Sequence, residues 1–179
     1  MKSSFRVVDL TYMAICSALI AICSWISIPT TVPFTLQTFA VFCVLELLGG
    51  KRGTVSICIF ILLGAIGIPV FTGFRGGIGV LLGTTGGYIV GFIFMGLIYW
   101  LSETLFGEKL VVRFAAMAVG LIVCYTFGTA WFLFVYARSS GAIGVGTALS
   151  WCVFPFVLPD LVKMALAITL SGRIKKYLH

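Results

Sequence analysis

Residues 111–136 read VVRFAAMAVGLIVCYTFGTAWFLFVY, and they decide the fold class. Apart from Arg113 near one end, the stretch carries no charge. As an α-helix it would run to about 39 Å at 1.5 Å per residue, more than the roughly 30 Å of a bilayer's hydrocarbon core. Lipid, not water, is the solvent for such a segment. Five further apolar runs accompany it, at residues 10–28, 34–48, 54–71, 78–101 and 146–170. The second is the shortest and is expected to borrow turns from its flanks. The expectation is an all-α membrane protein, a compact bundle of six transmembrane helices forming one domain over residues 1–179.

Composition points the same way. The chain has 179 residues, 61% hydrophobic and 9% charged, with a mean hydropathy of +1.19. A soluble domain carries about 25% charged residues, so this chain lacks the charge to coat a water-facing surface. Each run is bounded by Pro, Gly or charge: Pro29 and Pro33, Gly49-Gly50-Lys51-Arg52-Gly53, residues 69–77, Glu103 to Arg113, and Arg138 to Gly146.

The net charge of +7 is not a nucleic-acid patch, because the twelve Lys and Arg residues are dispersed at the ends of the runs. Lys2, Arg6, Lys51, Arg52, Lys109, Arg113, Arg173, Lys175 and Lys176 fall on one side of the expected bundle, Arg75 and Arg138 on the other. That asymmetry predicts that both termini are cytoplasmic. Lys163 belongs to neither side. The six cysteines form no C-x-x-C pair and lie inside apolar runs, where cysteine packs as a small hydrophobe. The single histidine is His179, the last residue, which rules out a metal site built from histidines. The run 10–28 lacks a cleavage site and reads as a retained helix. Nothing resembles a nucleophile–base pair or a metal cluster, so no enzyme is expected.

Three segments carry chemistry. In Pro155-Phe156-Val157-Leu158-Pro159-Asp160-Leu161-Val162-Lys163, Lys163 lies ten residues before Arg173, roughly 15 Å into the membrane. A charge at that depth costs about 2.5–3.5 kcal/mol on insertion scales. Asp160 and Lys163 share a helix face at i, i+3 spacing. A structural ion pair is one reading; a binding site is favoured, because buried pairs stabilise poorly against apolar replacements. Pro155 and Pro159 interrupt helical hydrogen bonding beside the charges and are expected to kink the last helix. The second segment is glycine-rich, from Pro69 to Tyr88, with Arg75 among the glycines. It lacks Gly-Lys-Ser/Thr and is no phosphate loop. Its glycines suit close backbone approach to a ligand or a lid, and Arg75 either receives an anion or is solvated. The third is Thr31-Val32-Pro33-Phe34-Thr35-Leu36-Gln37-Thr38, where the Gln37 amide stands near Phe34. Small residues at spacings of four (Ala14 and Ala18; Gly83, Gly87 and Gly91) let helices approach closely.

Taken in order, these segments resemble the BioY family, the biotin-binding S-components of energy-coupling-factor (ECF) vitamin transporters. The resemblance covers most of the chain. It rests on Val32-Pro33-Phe34-Thr35-Leu36-Gln37-Thr38, Gly50-Lys51-Arg52-Gly53, the run from Leu63 to Phe71, Gly76-Gly77 through Gly83-x-Thr85-Gly86-Gly87-Tyr88, and Leu158-Pro159-Asp160-Leu161-Val162-Lys163. Thr84 stands where the family pattern expects Pro.

The resemblance implies a multi-pass protein of a bacterial-type plasma membrane that captures biotin from outside, with no cofactor. It implies an ECF coupling transmembrane subunit and two ATPase subunits as partners, and a docking patch for the coupling subunit at Ala14-x-x-x-Ala18. It ties Asp160 and Lys163 to the substrate. Biotin carries a carboxylate, a cyclic urea and an apolar thioether ring. Asp160 suits the urea N–H groups, Gln37 the urea oxygen, and either Lys163 or Arg75 the carboxylate. Phe34, Tyr88 and Trp151 are expected to wall the ring, with Thr85 beside them. The alternatives are an S-component for another vitamin or small organic acid, and a proton-coupled carrier in which Asp160 titrates.

Overall fold

The computed structural model describes residues 6–30 and 32–178. Lys2 in the charge asymmetry, Thr31 in the third segment and His179 lie outside the described residues. The chain forms α1 (Val7–Trp25), β1 (Ser27–Ile28), β2 (Phe34–Thr35), α2 (Gln37–Ala65), α3 (Ile78–Leu81), α4 (Gly86–Phe106), α5 (Leu110–Ser140), α6 (Val145–Cys152) and α7 (Phe154–Leu178). Among the described residues, five segments are long and apolar enough to cross a membrane: α1, α2, α4, α5 and the α6–α7 pair taken as Val145–Lys176.

The second and third expected helices both lie within α2, which breaks at Gly49 (φ 77°, ψ 172°). An unbroken helix would hold residues eight apart at about 12 Å. Here a Cβ on Gly53 would come within 3.1 Å of the Leu45 Cα, so the two halves fold back on each other. The expected five-residue connection, 49–53, shrinks to one residue because glycine alone adopts that φ without a steric penalty. Glu103 of α4 holds the break, its Oε2 accepting the Gly50 N–H at 2.6 Å.

Other boundaries move for identifiable reasons. Phe34–Thr35 is not helical; it pairs antiparallel with Ser27–Ile28, so α1 ends at Trp25 and the next helix begins at Gln37. The run 54–71 stops at Ala65, where the chain turns through Gly67 (φ 105°) towards Pro69, which has no N–H to continue a helix. The run 78–101 begins as the single turn α3 and is helical again only from Gly86, running on to Phe106. Gly83 therefore precedes α4, and only Gly87 and Gly91 of that series lie on it, against Trp131 and Cys124 of α5. The run 111–136 extends to Ser140. The last run is interrupted at Val153 (φ −125°, ψ −60°). An unbroken helix there would drive the Pro155 ring into the Trp151 carbonyl. Pro155 instead falls in the first turn of α7, where a missing N–H costs little, and Pro159 lies inside the helix.

α2 is the hub, packing against α1, α4 and α7, while α5 packs on α4 and is linked to α7 through α6. Phe42, Phe60, Met95, Tyr99 and Met117 fill the interior. Large apolar side chains such as Val111 (78% exposed), Ile122 (62%) and Leu158 (72%) ring the outside, the arrangement expected when the surrounding medium is hydrocarbon. One end of the bundle is tied by polar contacts: Asp9 to Arg52 at 3.0 Å, Glu103 to Gly50, and the buried Glu46 to Arg113 and Tyr99. The start of α1, the Gly49 turn and the α4–α5 connection therefore share that end. The β1–β2 hairpin, the loop 66–77 and α6 gather at the other.

Candidate ligand-binding site

α7 presents Asp160 and Lys163 on one face, 2% and 6% exposed, with Nζ 2.8 Å from Asp160 Oδ1. The hairpin brings residues 34–38 over this face. The Thr35 side chain accepts the Gln37 N–H at 3.2 Å just before α2, and the Thr35 carbonyl and the Thr38 hydroxyl both point at Lys163. The ammonium group donates to Asp160 Oδ1 (2.8 Å), to the Thr35 carbonyl (2.8 Å) and to Thr38 Oγ1 (3.1 Å). An ammonium has three protons, and all three are engaged. The Phe34 ring lies 4.3 Å from Nζ and adds a cation–π contact.

Asp160 is less completely engaged. Its Oδ1 accepts from Lys163 and from Thr38 Oγ1 at 3.0 Å, and its Oδ2 accepts from the Tyr125 hydroxyl of α5 at 2.6 Å. A carboxylate offers about four acceptor positions, so Oδ2 retains one.

Both residues line a cavity of about 450 Å³, a volume typical of small-molecule pockets, roughly 300–1,000 Å³. Gln37 lines it, 5% exposed, and its Nε2 has no hydrogen-bond partner among the described residues. Tyr88 of α4 lines the wall, its hydroxyl 3.0 Å from Thr129 Oγ1 and its ring seated on Gly128, where a Cβ would come within 2.2 Å of Cδ1. Thr85 and Thr84 are beside it. Arg75 reaches the cavity from the exposed loop. A tight turn positions it: the backbones of Phe71 and Arg75 bond in both directions, Gly73 has φ 71°, and Phe74 at the tip stacks on Trp25 with centroids 4.8 Å apart. Phe71, Val80, Ile89 and Phe92 supply the apolar part of the wall.

Six of the eight residues expected from sequence thus share the cavity: Asp160, Lys163, Arg75, Gln37, Tyr88 and Thr85. Phe34 lies outside the lining, beneath Lys163 and stacked on Phe156 at 5.8 Å. Trp151 is not brought to the cavity. It is 39% exposed and sits edge-on to Tyr136 at 6.2 Å. Its neighbour Cys152 faces the cavity instead, because one helical residue rotates the side chain by about 100°. Ala14 and Ala18 are both exposed on α1, whose opposite face buries Met13, Cys16, Ser17 and Ile20. The reading from sequence missed Tyr125 and Thr38 as partners of Asp160. Thr38 belongs to the quoted third segment; the signal for Tyr125 is a phenol midway along the longest apolar run.

The BioY family model matches residues 1–179. The chain is 40% identical over 161 residues to the biotin transporter BioY of Thermotoga maritima, covering 89% of this chain and 91% of that protein. It is 39% identical over 168 residues to the probable biotin transporter BioY of Pyrococcus horikoshii, covering 93% and 96% respectively. In three dimensions it superimposes with a TM-score of 0.82 on the crystal structure of the S-component for biotin from an ECF-type ABC transporter, at 30% identity, covering 98% of this chain and 95% of that one. The fold, the order of its motifs and the match over the full sequence agree: the chain belongs to the BioY family.

Proposed function

We propose that this chain is the biotin-capturing S-component of an ECF transporter, with the cavity bounded by α2, α4, α5 and α7 as its ligand site. One observation carries the reading to a specific ligand chemistry: Gln37 lines the cavity, and its amide nitrogen is buried without a hydrogen-bond partner among the described residues. A buried donor without an acceptor costs about 1–3 kcal/mol, a cost that a bound carbonyl oxygen removes. On the lining of the same cavity, Asp160 Oδ2 keeps an acceptor position for an N–H group. A donor and an acceptor on the residues of one cavity suit a cyclic urea. The carboxylate then belongs at the other end of the ligand, with Arg75, because every Lys163 proton is already committed within the protein. Lys163 acts through Asp160 and Thr38, holding the carboxylate and the first turn of α2 in position. Tyr88, Phe92 and Ile89 meet the apolar ring.

The coupling subunit docks on α1, where Ala14 and Ala18 are exposed one turn apart and have no packing role inside the bundle. Two ATPase subunits complete the transporter and power inward release. Both termini are cytoplasmic. The polar-tied end that carries Arg6, Arg52, Lys109 and Arg113 faces the cytoplasm, and the hairpin, the Arg75 loop and α6 face outward.

Calorimetry on the purified full-length chain tests the reading. It predicts one biotin bound per chain, competed by no other vitamin. Absence of binding heat, or equal competition by a different vitamin, would overturn it.

A further inference from the structure

A second concavity, a groove of about 580 Å³, runs down the side of the bundle between α5 and the α6–α7 pair. Ala118, Ile122 and Ala130 form its floor on α5; Leu149, Val157 and Leu161 form the facing wall. It exists because α5 and α7 barely pack on each other and are held apart beneath α6. Three hydroxyls reach it, and each is already bonded within the protein: Tyr125 to Asp160, Thr126 to the Ile122 carbonyl at 2.8 Å, and Thr129 to Tyr88. Among the described residues, the groove thus offers no free side-chain hydroxyl, and its chemistry suits hydrocarbon. Its lining on α5 runs from Ala118 to Leu133, about 22 Å along the axis. A single alkyl chain fits, and the surrounding bilayer supplies alkyl chains.

Tyr125 lines both the groove and the ligand cavity. It is the partition between them and the donor to Asp160 Oδ2. We propose that one phospholipid acyl chain seats in the groove, backs the Tyr125 ring, and so holds Asp160 in its ligand-ready position. The link to ligand rests on the proposed biotin site; the lipid seat itself does not.

Two readouts separate them. The first is phospholipid retained by the full-length chain after detergent washing, counted by native mass spectrometry with phosphatidylcholine as the added lipid. Wild type is expected to keep about one per chain, and the groove-filling variants Ala118→Phe and Ala130→Phe to keep none. The milder Ala130→Leu covers the case in which Phe prevents folding. Equal retention by wild type and all folded variants, or none by wild type, overturns the seat, as does a stoichiometric dimer closing the groove in cross-linking. The second readout is biotin affinity in stripped detergent: wild type should weaken about fivefold, the size of one modest packing contact, and recover when phosphatidylcholine is returned. Ala130→Phe, carrying its own filling, should not respond to lipid. Affinity indifferent to lipid in wild type removes the link to Asp160 while leaving the seat standing. Complete failure to bind biotin in any condition strikes the proposed function instead.

Discussion

Two ion pairs with a buried carboxylate, Asp160–Lys163 and Glu46–Arg113, sit towards opposite ends of the bundle and are built to different ends. Glu46 is wholly buried, with Oε1 accepting from Tyr99 at 3.1 Å and Oε2 from Arg113. Neither residue is on the wall of the ligand cavity, and Arg113 Nε, buried and without a partner among the described residues, stays inside the packing. The pair clamps α2 to α4 and α5 beside the Gly49 break. Asp160 and Lys163 are as deeply placed, but they line a cavity together with Gln37, whose amide nitrogen has no partner among the described residues, and one carboxylate acceptor position is open. Burial of charge therefore does not distinguish a site from a strut. Hydrogen-bonding capacity left over beside an empty space does.

That contrast is broken most forcefully at Lys163. Lys163→Ala leaves Asp160 buried without its counter-charge, and removing one partner of a buried pair costs about 3–5 kcal/mol. Biotin affinity measured by calorimetry should fall by at least about 100-fold. At the other end, Glu46→Gln strands Arg113. The thermal midpoint in detergent should drop, with a loss of about 3 kcal/mol, while biotin affinity stays within about twofold of wild type. If Glu46→Gln abolished binding while the bundle stayed folded, the strut and the site would be one unit.

Smaller changes sharpen the picture inside the cavity. Arg75→Gln removes a charge-assisted contact worth about 1.5–3 kcal/mol, so biotin should bind about tenfold more weakly and biotin amide almost as before. A parallel loss for both ligands would move the carboxylate away from Arg75. Gln37→Leu removes an orphaned donor as well as a ligand contact. Affinity should fall about fivefold, while the ligand-free chain becomes no less stable. A less stable ligand-free chain would mean that the amide has a partner within the protein.

How much of this was legible in sequence follows from which forces act locally. The apolar runs stood out because a bilayer demands length and hydrophobicity from every span, whatever its neighbours. Their ends did not, because the hairpin of Ser27–Ile28 with Phe34–Thr35 and the one-residue turn at Gly49 depend on contacts between segments. Asp160 and Lys163 were conspicuous, since charge inside a hydrocarbon span is costly enough to need a reason. Tyr125 and Thr38 were not. Hydroxyls are cheap in such helices, and only the packing of α2 and α5 around α7 turns these two towards Asp160. Trp151 was misjudged for a related reason: the break at Val153 and a rotation of one residue turn Cys152, not Trp151, to the cavity.

The central claim is that the pair on α7 serves a ligand rather than the fold, and one titration tests it most directly. Asp160→Asn keeps the size and the Lys163 contact but weakens acceptance of ligand N–H groups. Calorimetry with biotin on this variant, beside wild type and with thermal unfolding of both ligand-free chains, should show affinity reduced at least about tenfold and a bundle that still unfolds cooperatively. Wild-type affinity in a folded Asp160→Asn chain would contradict the account.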